Sequence, residues 1–254
     1  MFLNPQFFGI ENQSNAILIS FVMVAFWWAF FSIPILRNVS ESDTQKQEPR
    51  FFKAILQSFN EVYQTLMEVR KYKNVAIFLL AYWFYMDGID TIVRMATAYG
   101  SDIGLEASSM ITALILTQFV GFPSTLIFGY FADKIGFKKI ISIGILIYIL
   151  ISIFASRITT ATEFYLMAVV VGLVMGGVQA VSRAYFSSII PEDKEAQFFG
   201  FYNLVGKSAV VAGPALLAWI SMIFNTPRAG ILGLLILFIP GLILLWMVPT
   251  QKNL

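Results

Sequence analysis

Seven stretches of this chain are long and apolar enough to cross a bilayer: residues 16–36, 74–99, 108–131, 140–156, 162–189, 198–224 and 229–248. That feature limits the fold more than any other. A hydrocarbon core of about 30 Å takes roughly 20 residues of helix to cross. Inside it every backbone N–H and C=O must be satisfied within the protein, which leaves helices and closed barrels. The stretches are continuously apolar rather than alternating, so they predict helices and an all-α integral membrane protein. Composition agrees. The 254 residues are 58% hydrophobic and 13% charged, with mean hydropathy +0.75, too little polar surface for a soluble domain of this length. The opening "MFLNPQFFGIENQSN" has neither the basic region nor the small-residue cleavage site of a signal peptide. Insertion is therefore expected to depend on the internal spans.

The sequence holds no Cys and no His, which removes disulfides, thiol nucleophiles, imidazole bases and most zinc or haem sites. No catalytic residue, metal or cofactor is expected. A net charge of +2 and the lack of a basic patch interleaved with exposed aromatics speak against nucleic acid. The expected partners are a lipid bilayer and a small-molecule solute. Lys and Arg are divided unequally between the two sets of connections. One set holds Arg37, Lys46, Arg50, Lys53, Arg70, Lys71, Lys73, Lys134, Lys138, Lys139, Lys194 and Lys252, and the other holds Arg157 and Arg228. The positive-inside rule then places the N-terminus outside and the C-terminus inside. The membrane expected is the cytoplasmic membrane of a bacterium.

Three regions follow. Residues 1–36 form an external segment and the first span, 37–73 a cytoplasmic linker, and 74–254 a six-helix bundle. Within the linker, Phe52, Ile55, Phe59, Val62, Leu66 and Val69 recur at helical spacing, with Lys53, Glu61, Glu68 and Arg70 on much of the other face. This reads as an amphipathic helix, lying on the cytoplasmic leaflet or bridging the cytoplasmic ends of the bundle.

Between the third and fourth spans stands "GYFADKIGFKK". Gly129 suits close helix approach, Asp133 a helix N-terminus, Gly136 a left-handed bend, and Lys134, Lys138 and Lys139 the inside rule. The spacing resembles the signature loop of the major facilitator superfamily, where the Asp and the basic residues form a cytoplasmic latch. "GGVQAVSRAYFSSIIP" and "EAQFFGFYNLVGKSAVVAGP" are similar to the vacuole-effluxer-like branch, which includes autophagy-related vacuolar amino-acid exporters and bacterial relatives. "FYMDG" resembles the opening of that branch's seventh helix, with Met86 where a polar residue is expected. The resemblance implies that the first span corresponds to the sixth helix of a facilitator and the other six to its C-terminal half. By that register five family helices have no counterpart here. A fragment, a truncated product and a half-transporter pairing with another polypeptide or a second copy are all open readings.

Charge at mid-bilayer costs about 2.5–3.5 kcal/mol, so intramembrane charges mark a function or a latch. Asp87, Asp90, Arg94, Arg183 and Lys207 lie inside spans and sum to +1, with Gln179 and Asn203 one turn from Arg183 and Lys207 respectively. Asp90 and Arg94 are spaced to pair. Asp87 is expected to meet Lys207, a substrate ammonium or a proton, while Lys207 or Arg183 attracts an anionic group. Gly172 and Gly176 stand at small-x-x-x-small spacing, beside Gly177, which predicts close packing of the fifth span on a neighbour. Gly213-Pro214 predicts a bend in the sixth. The function expected is a secondary transporter, not an enzyme, working by alternating access on a small polar solute and coupled to protons. The resemblance points to amino acids. The alternative is a non-transporting membrane subunit that binds another membrane protein. No Gly-rich phosphate loop is present for ATP-driven transport, and Asp87 and Asp90 share one helix rather than facing each other as in an intramembrane aspartyl hydrolase.

Overall fold

The computed structural model describes residues 12–38 and 62–249, together with 6, 9 and 60. Among them are seven helical spans and no strand. The chain divides into two compact units, Met1–Ile55 and Leu56–Leu254. In the first unit, α1 (Gln13–Asn38) exposes large apolar side chains all round, including Phe21, Phe26, Trp28 and Leu36. Such a helix is suited to lipid rather than water.

The second unit begins, among described residues, with a helical stretch over 62–69, here α2. It continues with α3 (Lys73–Asp102), α4 (Ala107–Ile135), α5 (Phe137–Ala155), α6 (Ala161–Ile189), α7 (Glu195–Ser208), α8 (Ala212–Phe224), α9 (Pro227–Gly233) and α10 (Leu235–Met247). Two of the spans are broken. Glu192–Phe224 contains α7 and α8, and Pro227–Met247 contains α9 and α10. The first break has a clear cause. Pro214 has no N–H for the carbonyl of Val210, and its ring would clash with it. The helix therefore ends at Ser208 and restarts at Ala212, with Pro214 in the first turn, where a missing N–H costs nothing.

The central helix is α3, packed against α10, α6, α7 and α8. Its Phe78 and Tyr85 are fully buried, and the Tyr85 hydroxyl meets Ser182 Oγ at 2.7 Å. Large apolar side chains on the outer faces of α4, α5 and α8, such as Phe119, Phe122, Leu150 and Met222, stay exposed, as a bilayer-facing surface requires. Lipid offers no hydrophobic drive between helices, so close backbone approach must hold them. The α4–α6 pair does this with small residues. Gly172 lies against the Thr117 carbonyl, and Gly177 against the Phe128 ring. Thr117 Oγ1 donates to the Ala168 carbonyl at 3.1 Å, and Ser124 Oγ to that of Leu173. The expectation from Gly172 and Gly176 is met, with α4 as the neighbour.

On the end from which α7 starts, Glu68 of α2 accepts from Lys194 Nζ and, at 3.1 Å, from Gln197 Nε2, which also donates to Thr65 Oγ1 at 3.0 Å. The Lys194 hydrogen bond holds the Glu68 carboxyl below the usual carboxylate range. The helical stretch 62–69 thus packs on the start of α7. Phe52, Ile55 and Phe59 lie outside the described residues. At α6 a capping box supplies the start. Thr160 Oγ1 accepts from Glu163 N, and Glu163 Oε2 accepts from Thr160 N.

Candidate functional site

Three helices of the second unit each contribute one stripe to a cavity of about 500 Å³. From α3 come Tyr82, Met86 and Asp90, spaced four apart on one face. From α6 come Gly176, Gln179, Ala180 and Arg183, again one face. From α7 come Tyr202, Asn203, Gly206 and Lys207. The floor is aromatic: Tyr82 and Tyr202 stack with ring centroids 4.3 Å apart, and Phe186 stacks on Tyr202 at 4.8 Å. Gly206 keeps the cavity open beside Tyr82, whose hydroxyl would lie 3.1 Å from a Cβ there.

Five of the residues expected from sequence are thus gathered: Asp90, Gln179, Arg183, Asn203 and Lys207. Asp90 is half-buried and the other four are exposed. Their chemistry is complementary to a zwitterion, with one carboxylate facing two cations. Arg183 is partly committed, its guanidinium carbon standing 5.4 Å from the Phe199 ring centroid. Sequence reasoning missed Tyr82, Tyr202 and Met86. Tyr202 adjoins Asn203 in sequence, but one residue along a helix is a rotation of about 100°, so that adjacency was no signal.

Two expected residues stand elsewhere. Arg94 is exposed and makes no ion pair with Asp90, since the one ion pair among described residues is Lys194–Glu68. Spacing of four brings the two stems to one face, but a long, flexible Arg keeps its head in a polar environment more cheaply than it orders it beside a carboxylate. Asp87 neither lines the cavity nor meets Lys207. One residue past Met86 is a rotation of about 100°, and that turns Asp87 into the bundle, fully buried, with both carboxylate oxygens lacking a hydrogen-bond partner.

The "GYFADKIGFKK" loop has its own geometry. Gly136 joins α4 to α5 at φ 100°, a positive value that L side chains rarely adopt. Gly129 provides no close approach, because a Cβ there meets nothing within 4 Å. Asp133 and Lys139 are exposed, and Lys134 donates to the Tyr130 hydroxyl. No latch between Asp133 and the basic residues forms among the described residues. Lys138 instead donates to the carbonyls of Trp246 (2.9 Å) and Val248 (2.6 Å), which end α10. An ammonium there satisfies carbonyls that have no helical partner and complements the negative end of the helix dipole. Lys138→Met, which keeps the stem, should therefore lower stability by about 1–2 kcal/mol. Lys139→Met should leave it unchanged, and thermal unfolding of the purified variants checks both.

The sequence matches over residues 4–254 the family described as "Vacuole effluxer Atg22 like". It is 37% identical over 242 residues to the Bacillus subtilis (strain 168) protein named "Uncharacterized MFS-type transporter YxiO", covering 95% of this chain and 56% of that protein. It is 24% identical over 231 residues to "Autophagy-related protein 22" of Kluyveromyces lactis, covering 83% of this chain and 46% of the relative. The protein of the same name from Eremothecium gossypii is 26% identical over 229 residues, covering 81% and 44%. The chain thus spans about half the length of these relatives.

Proposed function

This chain belongs to the vacuole effluxer Atg22-like family, and from that premise we propose that it supplies one half of a proton-coupled secondary transporter for amino acids. The observation that carries the reading is the cavity. Asp90, Arg183 and Lys207, from three different helices, surround about 500 Å³ floored by Tyr82 and Tyr202. A carboxylate set against two cations recognises an ammonium and a carboxylate on one small molecule, and the aromatic floor takes an apolar side chain. Exposed Gln179, Arg183, Asn203 and Lys207 cannot face hydrocarbon cheaply. Their face therefore meets water and a second six-helix bundle, whichever polypeptide carries it, as facilitator cavities lie between two halves. The uneven Lys and Arg distribution and the Bacillus relative support placement in a bacterial cytoplasmic membrane with the N-terminus outside.

Equilibrium binding by the purified chain tests this. A neutral amino acid should bind, and the matching amine without its carboxylate, or acid without its ammonium, should each bind about tenfold more weakly or worse, since each loses one charge-assisted contact. Equal binding of all three, or preference for a neutral sugar, would overturn the reading. Binding of the chain to another membrane protein, with no solute bound under any condition, would favour the non-transporting subunit.

A further inference from the structure

Asp87 is the ionisable side chain that the cavity does not use. It is 0% exposed, and neither oxygen has a hydrogen-bond partner. It faces the joint where α7 stops at Ser208 and α8 restarts at Ala212. A Cβ built on Gly213, in the first turn of α8, would fall 2.8 Å from Asp87 Oδ1 and 2.0 Å from Thr91 Oγ1. Thr91 Oγ1 itself donates to the Asp87 carbonyl at 2.6 Å. The buried carboxylate is therefore aimed into the N-terminal turn of a 13-residue helix, whose first amides have no helical acceptor.

The tightness of the contact selects the ligand. Where a methyl group does not fit, neither a hydrated metal ion nor a substrate ammonium enters. A proton does.

Of the other titratable groups, one acts on Asp87. Asp90, one turn along α3, is the charged side chain close enough to act on it. Neither α8 nor α10 carries a titratable residue. Arg183 of α6 and Tyr202 and Lys207 of α7 line the cavity, while Tyr185 of α6 lies on Phe78. Glu163 belongs to the α6 capping box, Asp133 and Lys134 to the exposed end of α4, and Arg228 of α9 donates to the Ile158 carbonyl. Tyr148 of α5 stacks on Phe238, which covers Gly88.

We propose that Asp87 is a proton-binding site, separate from the solute cavity, that controls the joint between α7 and α8. Ionised, the carboxylate attracts the positive end of α8 and holds its first turn against α3. Taking a proton from water removes the charge and that attraction, and the joint loosens. α7 carries Tyr202, Asn203 and Lys207, so protonation at the joint reaches the cavity wall through one short helix. Its use in coupling rests on the transporter reading above; the proton site and its effect on the joint do not.

Hydrogen exchange of the 209–216 backbone, in the full chain without added solute and normalised for intrinsic rate, tests the proposal. Exchange should be about tenfold faster near pH 5 than near pH 9, within the range of helix-terminus charge effects. Asp87→Asn should exchange at the fast level at both pH values. A pH response that survives in Asp87→Asn, or none in the unaltered chain, would overturn the proposal. Gly213→Ala forces the same contact apart while leaving the carboxyl group itself in place and should be fast throughout. If it stays slow and pH-dependent, the contact does not govern the joint. Amino-acid binding in the same samples separates the two readings. A pH response abolished by Asp87→Asn in a chain that binds no amino acid keeps the proton site and sinks the transporter assignment.

Discussion

Gly172→Leu should leave no folded, monodisperse bundle, and even Gly172→Ala should destabilise the protein by about 1–3 kcal/mol through overpacking. The reason is what the new Cβ meets. It would lie 2.7 Å from the Thr117 carbonyl oxygen and 3.2 Å from both Thr117 Cα and Val120 Cβ. Two of these atoms are backbone, which no rotamer change can move aside. Separating α4 from α6 would also strip the Thr117 and Ser124 hydroxyls of their acceptors across the interface. Without a hydrophobic drive between helices in lipid, nothing compensates for lost contact. Gly129→Ala on the same α4 is the control: its Cβ meets nothing within 4 Å, and Ala favours helix, so stability should hold or rise slightly. Thermal unfolding and size exclusion in detergent read both variants.

Close packing by α6 was legible, though not that α4 is its neighbour, because small residues four apart suit close helix approach, and the spans were legible because 20 apolar residues have few other uses. The polar members of the cavity stood out for the same reason. Asp90, Gln179, Arg183, Asn203 and Lys207 are costly in lipid and must share a protected face. The sequence sets Asp87 toward Lys207 or the solute and Asp90 toward Arg94, whereas Asp90 lines the cavity and Asp87 is buried in the bundle. Which of two acids on a helix faces a cavity, and which a neighbour, depends on rotation about the α3 axis, and tertiary packing sets that. The Arg94 pairing failed because spacing along a helix brings stems together without ordering long side chains. Tyr82 and Tyr202 were hidden by abundance, since 25 Phe and 10 Tyr leave no aromatic conspicuous. The bend was placed at Gly213-Pro214, but proline acts four residues upstream, so the joint lies at 209–211. Lys138 satisfied the inside rule and the motif, and neither revealed that it caps α10.

Lys207→Gln should weaken binding of a neutral amino acid by about 10- to 100-fold, the loss of one charge-assisted hydrogen bond to a carboxylate. Lys207 is the stronger candidate of the two cations. It has no hydrogen-bond or ion-pair partner among the described residues, whereas Arg183 is already engaged with the Phe199 ring. A cation without a protein partner gives up only water when substrate arrives. Arg183→Gln should accordingly cost less, and Lys207→Arg should recover part of the affinity, because the charge returns in a different shape. The control lies in the ligand: the amine analogue has no carboxylate, so its binding should be unchanged by Lys207→Gln and weakened by Asp90→Asn. If Lys207→Gln weakened the amine and the amino acid equally, the lysine would be shaping the cavity rather than reading the substrate. If Arg183→Gln proved the more damaging, the carboxylate would lie toward α6, and Asp90 would have to meet the ammonium from the opposite side.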